Sequence, residues 1–113
     1  YVSNYAMAVC ASSRSEIIIK GGEFANQAPA GSALSLIYAE DNAKITIEGG
    51  TFKCVSPAWT LNCNDSDPAT ITVKGGSFYK FDPSNVTVGE GEIFIAGGYK
   101  VVQNGDWYNV VPE

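Results

Sequence analysis

The side chains here that could do chemistry are carboxylates and aromatics, because the chain contains no histidine. That removes the commonest general base and the commonest metal ligand. The densest acidic group is Glu40 with Asp41, followed one repeat later by Asp65 and Asp67. If those two turns stack, their carboxylates could hold calcium, or act as a glycosidase pair, which needs two carboxyl groups about 5–9 Å apart. Arg14, the lone arginine, falls in the equivalent turn of the preceding repeat, where a lyase would need a cation beside its carboxylates. The plainer account is that Asp, Asn, Ser and Pro are turn formers whose side chains bond their own backbone. We adopt it, and expect a protein that is not an enzyme, with no catalytic residue and no metal site.

Aromatics form the second group. Trp59, Tyr79, Trp107 and Tyr108 are the candidate carbohydrate-binding residues, since flat rings on an elongated face can stack on sugars; Tyr38 is a further aromatic of this kind. Competing with that role is packing, which occupies most such side chains. No Ser, Cys or Lys lies in a nucleophile motif and no phosphate loop is present. The glycine pairs end strands without opening helices, so they are not dinucleotide fingerprints, and no cofactor is expected.

The elements that would position these residues are legible from one recurring phrase. It reads Ile17-Ile18-Ile19-Lys20-Gly21-Gly22-Glu23-Phe24, then Ile45-Thr46-Ile47-Glu48-Gly49-Gly50-Thr51-Phe52, then Ile71-Thr72-Val73-Lys74-Gly75-Gly76-Ser77-Phe78. A fourth, imperfect copy runs from Ile93 through Phe94, Ile95 and Ala96 to Gly97-Gly98-Tyr99, and successive glycine pairs are 28, 26 and 22 residues apart. Such repetition means stacked units, each burying its apolar face against its neighbours. Period-2 alternation of β-branched residues makes the phrase a strand, with Ile17, Ile19, Ile45, Ile47, Ile71 and Val73 on one face. Like strands recur after a full repeat, so each should lie parallel to its copy, identical residues stacking about 4.8 Å apart.

The glycine pair marks a sharp corner, where positive φ is free of steric penalty only for glycine. The phenylalanine two places on returns to the interior, and Phe24, Phe52 and Phe78 should form a column. A second strand precedes each phrase. Aligning these strands puts Cys10, Tyr38 and Cys63 at one level, with one extra residue in the third turn. Cys10 and Cys63 are then two levels, roughly 9.6 Å, apart, beyond the roughly 7 Å reach of a disulfide. With Cys54 at another level, three free thiols are expected. The odd count suits folding in a reducing compartment. At the end, Asn104-Gly105 separates two apolar runs, Tyr99–Val102 and Trp107–Val111, and reads as a hairpin over an otherwise unpaired edge.

The phrase from Ile17 to Phe78 resembles right-handed parallel β-helix proteins of the pectate-lyase-like class. Similar coils occur in gut-bacterial surface proteins and in phage tail fibres and tailspikes. The closing segment, with Phe81-Asp82-Pro83-Ser84-Asn85, then Gly98–Val102 and Trp107–Val111, resembles the end of such arrays. The resemblance implies an all-β fold, a short right-handed single-stranded parallel β-helix of three to four coils closed by a C-terminal β-hairpin. Residues 1–98 would form the coils and residues 99–113 the capping hairpin of the same domain. By the same resemblance the chain is a structural and recognition module of a tail-fibre or tailspike virion protein. The alternatives are a repeat of a gut-bacterial secreted or cell-surface protein, and a polysaccharide lyase or hydrolase using turn carboxylates. Expected partners are two further copies in a homotrimer, with Ile18 and Phe94 pointing outward, and a cell-surface glycan.

Composition narrows this further. The 113 residues suit one domain, and a net charge of −5 with seven basic residues leaves no basic stripe for nucleic acid. No apolar run approaches the roughly 18 residues of a membrane span, so no insertion is expected. The chain opens on Tyr1 with no basic leader, which reads as a fragment or processed piece. Its expected location is a virion tail, or the outside of a bacterium.

Overall fold

The computed structural model describes residues 2–3, 9–26, 36–54, 60–63, 69–85 and 94–113. Among them the fold is all-β, with twelve strands and no helix. The strands are β1 (Val2–Ser3), β2 (Val9–Ala11), β3 (Glu16–Ile19), β4 (Glu23–Asn26), β5 (Ile37–Ala39), β6 (Lys44–Ile47), β7 (Thr51–Lys53), β8 (Leu61–Cys63), β9 (Thr70–Val73), β10 (Ser77–Tyr79), β11 (Tyr99–Asn104) and β12 (Trp107–Pro112). As far as β10 the chain visits three sheets in rotation, so each strand pairs with the one three places on. One sheet has the order β1-β4-β7-β10-β12-β11, the second β2-β5-β8 and the third β3-β6-β9.

Every pairing among β1 to β10 is parallel and in register. Ile17 meets Ile45 and Ile71, and Ile19 meets Ile47 and Val73. Alternation sends these side chains inward, where Ile19, Ile45, Ile47, Ile71 and Val73 are buried and Ile17 is partly covered. Burial of each such side chain is worth about 1.5–3 kcal/mol, so the columns of this sheet contribute more than any single polar contact. Thr46 and Thr72 face outward and are half-exposed.

The two glycines of each corner do different work. The second carries the positive φ, at +105° for Gly22, +114° for Gly50, +99° for Gly76 and +85° for Gly98. The first is demanded by the neighbouring repeat: a methyl group on Gly49 would stand 2.6 Å from the Lys20 carbonyl oxygen, and one on Gly75 would meet the Glu48 carbonyl oxygen still more closely. Just past the corners, Phe24, Phe52 and Phe78 form the expected column, with ring centroids 5.0 and 4.9 Å apart and planes within 10°.

Two expectations are corrected. In the second sheet Ile37 pairs with Leu61, Tyr38 with Asn62 and Ala39 with Cys63. Cys63 therefore stands level with Ala11 and Ala39, while Cys10 stands level with Tyr38. The slip arises because six residues, 64–69, span the third turn where four, 40–43, span the second. A one-residue slip reverses the face of every side chain, which is why Cys63 is buried and Cys10 exposed. All three cysteines are free thiols. The second correction is Phe94, which is buried at 4 % exposure and offers no outward contact, whereas Ile18 is 50 % exposed. Among the described residues the fourth copy meets the third sheet through a bridge of Ile95 to Val73, and the Phe94 N–H donates to the Pro83 carbonyl, so residues of the 82–85 turn lie beside it.

The end of the chain returns antiparallel. β12 pairs with β10, placing Asn109, Tyr108 and Trp107 opposite Ser77, Phe78 and Tyr79, and β11 pairs with β12. The hairpin connection is Gly105-Asp106, with Gly105 at φ +64°, as a type II′ turn requires of its first central residue. Asn104, expected in the turn, closes β11 instead.

Candidate functional site

The outward face of the six-stranded sheet is set by the phenylalanine column. With Phe24, Phe52 and Phe78 inside, alternation turns their strand neighbours outward. One row across the sheet then reads Ala25, Lys53, Tyr79, Trp107 and Asn104, and the row beside it Glu23, Thr51, Ser77, Asn109 and Val102. In the second row the Ser77 hydroxyl donates to the Asn109 side-chain carbonyl.

The first row holds the densest set of interacting side chains on this face. Tyr79 and Trp107 meet edge to face with centroids 5.3 Å apart. The Lys53 ammonium lies 4.6 Å from the Tyr79 ring centroid, and the Lys80 ammonium 5.4 Å from it. Lys80 follows β10 directly and takes a left-handed φ of +51°, held by its N–H donating to the Asp106 carbonyl in the hairpin turn. A backbone conformation that disfavours any side chain is therefore kept where a lysine reaches the same ring as Lys53.

Of the four aromatic candidates from the sequence, Tyr79 and Trp107 come together on this face. Tyr108 is opposite Phe78 and so faces the other way, half-buried. Trp59 lies outside the described residues. The two lysines were not singled out by sequence reasoning. Their signal was available, since Lys53 and Tyr79 each follow a corner phenylalanine by one residue and must share a level.

The acidic turns are a second cluster. Ser12–Ser15 stacks on Glu40–Ala43, with the Arg14 N–H donating to the Asp41 carbonyl at 3.0 Å and the Ser13 hydroxyl donating to the Asp41 carboxylate at 3.3 Å. Both turns carry consecutive left-handed residues, Ser13 and Arg14 in one, Asp41 and Asn42 in the other. Arg14, Ser15, Glu16, Asn42 and Lys44 line an open, shallow hollow beside them. Asp65 and Asp67 lie outside the described residues, so the proposed carboxylate pair rests on Asp41 alone. Asp41 is engaged by its neighbouring turn, as a turn former would be. Nearby, partial burial, and after it the charge of Glu40, pushes the Cys10 thiol above its usual value.

No family model, curated protein or solved structure matches the chain.

Proposed function

We propose that the chain is a short right-handed, single-stranded parallel β-helix of the pectate-lyase-like class, closed by its C-terminal hairpin, and that it serves as a non-catalytic structural and recognition module for a surface glycan. The observation that carries the recognition role is the Tyr79–Trp107 pair on the outward face of the six-stranded sheet. Support for the structural role comes from the rotation of the chain through three parallel sheets and from the stacked phenylalanines, which make a stiff scaffold. Such a module suits a tail fibre or tailspike, as a homotrimer on a virion, with a repeat of a secreted or surface protein of a gut bacterium as the alternative.

Two measurements test this reading. Light scattering on a sizing column gives three chains per particle for the fibre and one for the bacterial repeat. A glycan panel should show retention that is lost in Trp107→Ala without any sugar being released. Release of oligosaccharide that disappears in Asp41→Asn would replace the non-catalytic reading with a polysaccharide-cleaving one.

A further inference from the structure

The hairpin turn carries the one asparagine of the chain that is followed by glycine, Asn104 before Gly105. An asparagine side chain can react with its own backbone when the next N–H reaches its amide carbon, and a following glycine obstructs that approach least. At three other asparagines the following N–H is tied up or covered. The Ala43 N–H after Asn42 donates to the Glu40 carbonyl, and the Val110 N–H after Asn109 donates to the Gly76 carbonyl. Asn62 precedes the buried Cys63 inside β8. The hairpin differs. Asn104 and Trp107 are the closing pair of the ladder, so the Gly105 N–H between them is not one of its donors. The Gln103 side-chain amide donates to the Gly105 carbonyl at 3.1 Å, which fixes the peptide after Gly105 and not the one before it. Gln103, Asn104, Gly105 and Asp106 are all exposed, and a methyl group on Gly105 would meet nothing within 4 Å, so solvent reaches the reacting peptide.

We propose that Asn104 is a self-modifying site: its side-chain amide is converted through a cyclic imide to aspartate and isoaspartate, and the change loosens the hairpin that closes the stack. The Gly105 nitrogen gives up its proton to water or hydroxide and bonds the Asn104 side-chain carbonyl carbon. The bond from that carbon to the amide nitrogen breaks, and ammonia leaves with a proton taken from water. A second water then opens the five-membered imide. Cleavage at the side-chain carbonyl yields aspartate, and cleavage at the main-chain carbonyl yields isoaspartate, whose backbone runs through the side-chain carbons. Both products exchange a neutral amide for a carboxylate, and isoaspartate also adds one backbone atom between β11 and β12. Ring closure takes Asn104 out of its extended conformation, which at the last pair of a hairpin requires only that pair to open. The added atom is not absorbed by the turn. The Lys80 N–H donates to the Asp106 carbonyl and fixes the turn to the end of β10, so the longer chain is accommodated by loss of the Asn104–Trp107 pair. This inference is independent of the glycan reading.

The test is incubation of the full folded chain in mildly alkaline buffer, read by tryptic peptide mapping with mass spectrometry and by enzymatic methylation of isoaspartate. Asn104→Gln keeps the amide but lengthens the side chain past five-membered closure. Gly105→Ala keeps the asparagine and crowds the attacking nitrogen, and Asn104→Gln carries the comparison alone if the left-handed position rejects alanine. The expected result is a gain of about one mass unit on the peptide that follows Lys100, placed at Asn104 by fragmentation and accompanied by isoaspartate. It should be faster at higher pH, slowed in Gly105→Ala and absent in Asn104→Gln. Converted protein, separated by its added negative charge, should melt below the parent. Earlier conversion at Asn42 or Asn109, or conversion in urea with none in the folded chain, overturns the assignment of the site. Conversion without isoaspartate overturns the imide route, and a melting temperature equal to the parent's overturns the loosening of the hairpin.

Discussion

The rings of Phe52 and Phe78 lie 4.9 Å apart and within 10° of parallel, and Phe52 has a second such partner in Phe24 at 5.0 Å. Phe52 and Phe78 are fully buried, while Phe24, at the end of the column, is half-exposed. Replacement of Phe52 by alanine should therefore destabilise the fold by about 3–5 kcal/mol, and Phe24→Ala by clearly less. Urea unfolding of the two variants checks the order. A double-mutant cycle on Phe52 and Phe78 should give a coupling of about 0.5–1.5 kcal/mol beyond the buried area. Equal losses at Phe24 and Phe52 would contradict burial as the source of the difference, and a coupling near zero would mean that stacking adds nothing to it.

The two-glycine corner predicts opposite results for one substitution at equivalent places. Gly75→Ala drives a methyl group into the Glu48 carbonyl, whereas a methyl on Gly21 meets nothing within 4 Å. Overpacking against backbone cannot be relieved by a rotamer change, so Gly75→Ala should destabilise by about 1–3 kcal/mol. Gly21→Ala should stay within about 0.5 kcal/mol of the parent. Thermal unfolding separates them, and a large loss at Gly21 would contradict the backbone contact as the cause.

Arg14 occupies a left-handed position at φ +63° that costs an L side chain roughly 1–2 kcal/mol. Glycine is free of that strain but loses more entropy on folding. Arg14→Gly should gain about 0.5–1 kcal/mol, measured by denaturant midpoint. The equivalent Asn42, at φ +62°, is of a type that tolerates this region, and Asn42→Gly should gain less. The reverse order would place the strain elsewhere.

Cys10 supplies a pH signature. Burial of the thiol and then Glu40 favour its neutral form, so its alkylation by iodoacetamide should rise with pH about a midpoint above that of a free cysteine. Glu40→Gln should lower that midpoint. Because the folded value is the raised one, the stabilising contribution is complete below the unfolded thiol's pKa and is lost as pH rises through the folded value. A midpoint at or below that of free cysteine would refute the assignment.

How much of this was legible in the sequence depended on where local pattern was enough. The Ile columns, the corners and the phenylalanine column follow from alternation and repetition, and each stands where the phrase put it. The register of Leu61–Cys63 did not follow, because it depends on the length of a turn that repetition leaves free. Phe94 was misread because an outward place in the phrase says nothing about a cover formed by the 82–85 turn. The pairing of Tyr79 with Trp107 needed the antiparallel register of β12 on β10, which joins residues of the repeat to residues outside it.

That same register makes the hairpin a replacement for the missing next repeat. The Thr51 N–H donates to the Gly22 carbonyl and the Ser77 N–H to the Gly50 carbonyl, and at the last corner the Gly76 carbonyl is taken by the Val110 N–H of β12. Val110 is buried as the phenylalanines are, so β12 closes the apolar column and the backbone ladder together. Without it, β10 would present unpaired N–H and carbonyl groups and an uncovered Phe78, a template for another strand. A chain ending at Gly98 should therefore self-associate, seen as higher mass in light scattering and increased thioflavin fluorescence. Val110→Asp in the full chain tests the same idea while keeping the hairpin's length, since a buried unpaired carboxylate should loosen β12 and give a milder form of the same behaviour. If both variants keep the parent's mass and melting temperature, β12 is an attached ornament and the closure of the stack lies elsewhere.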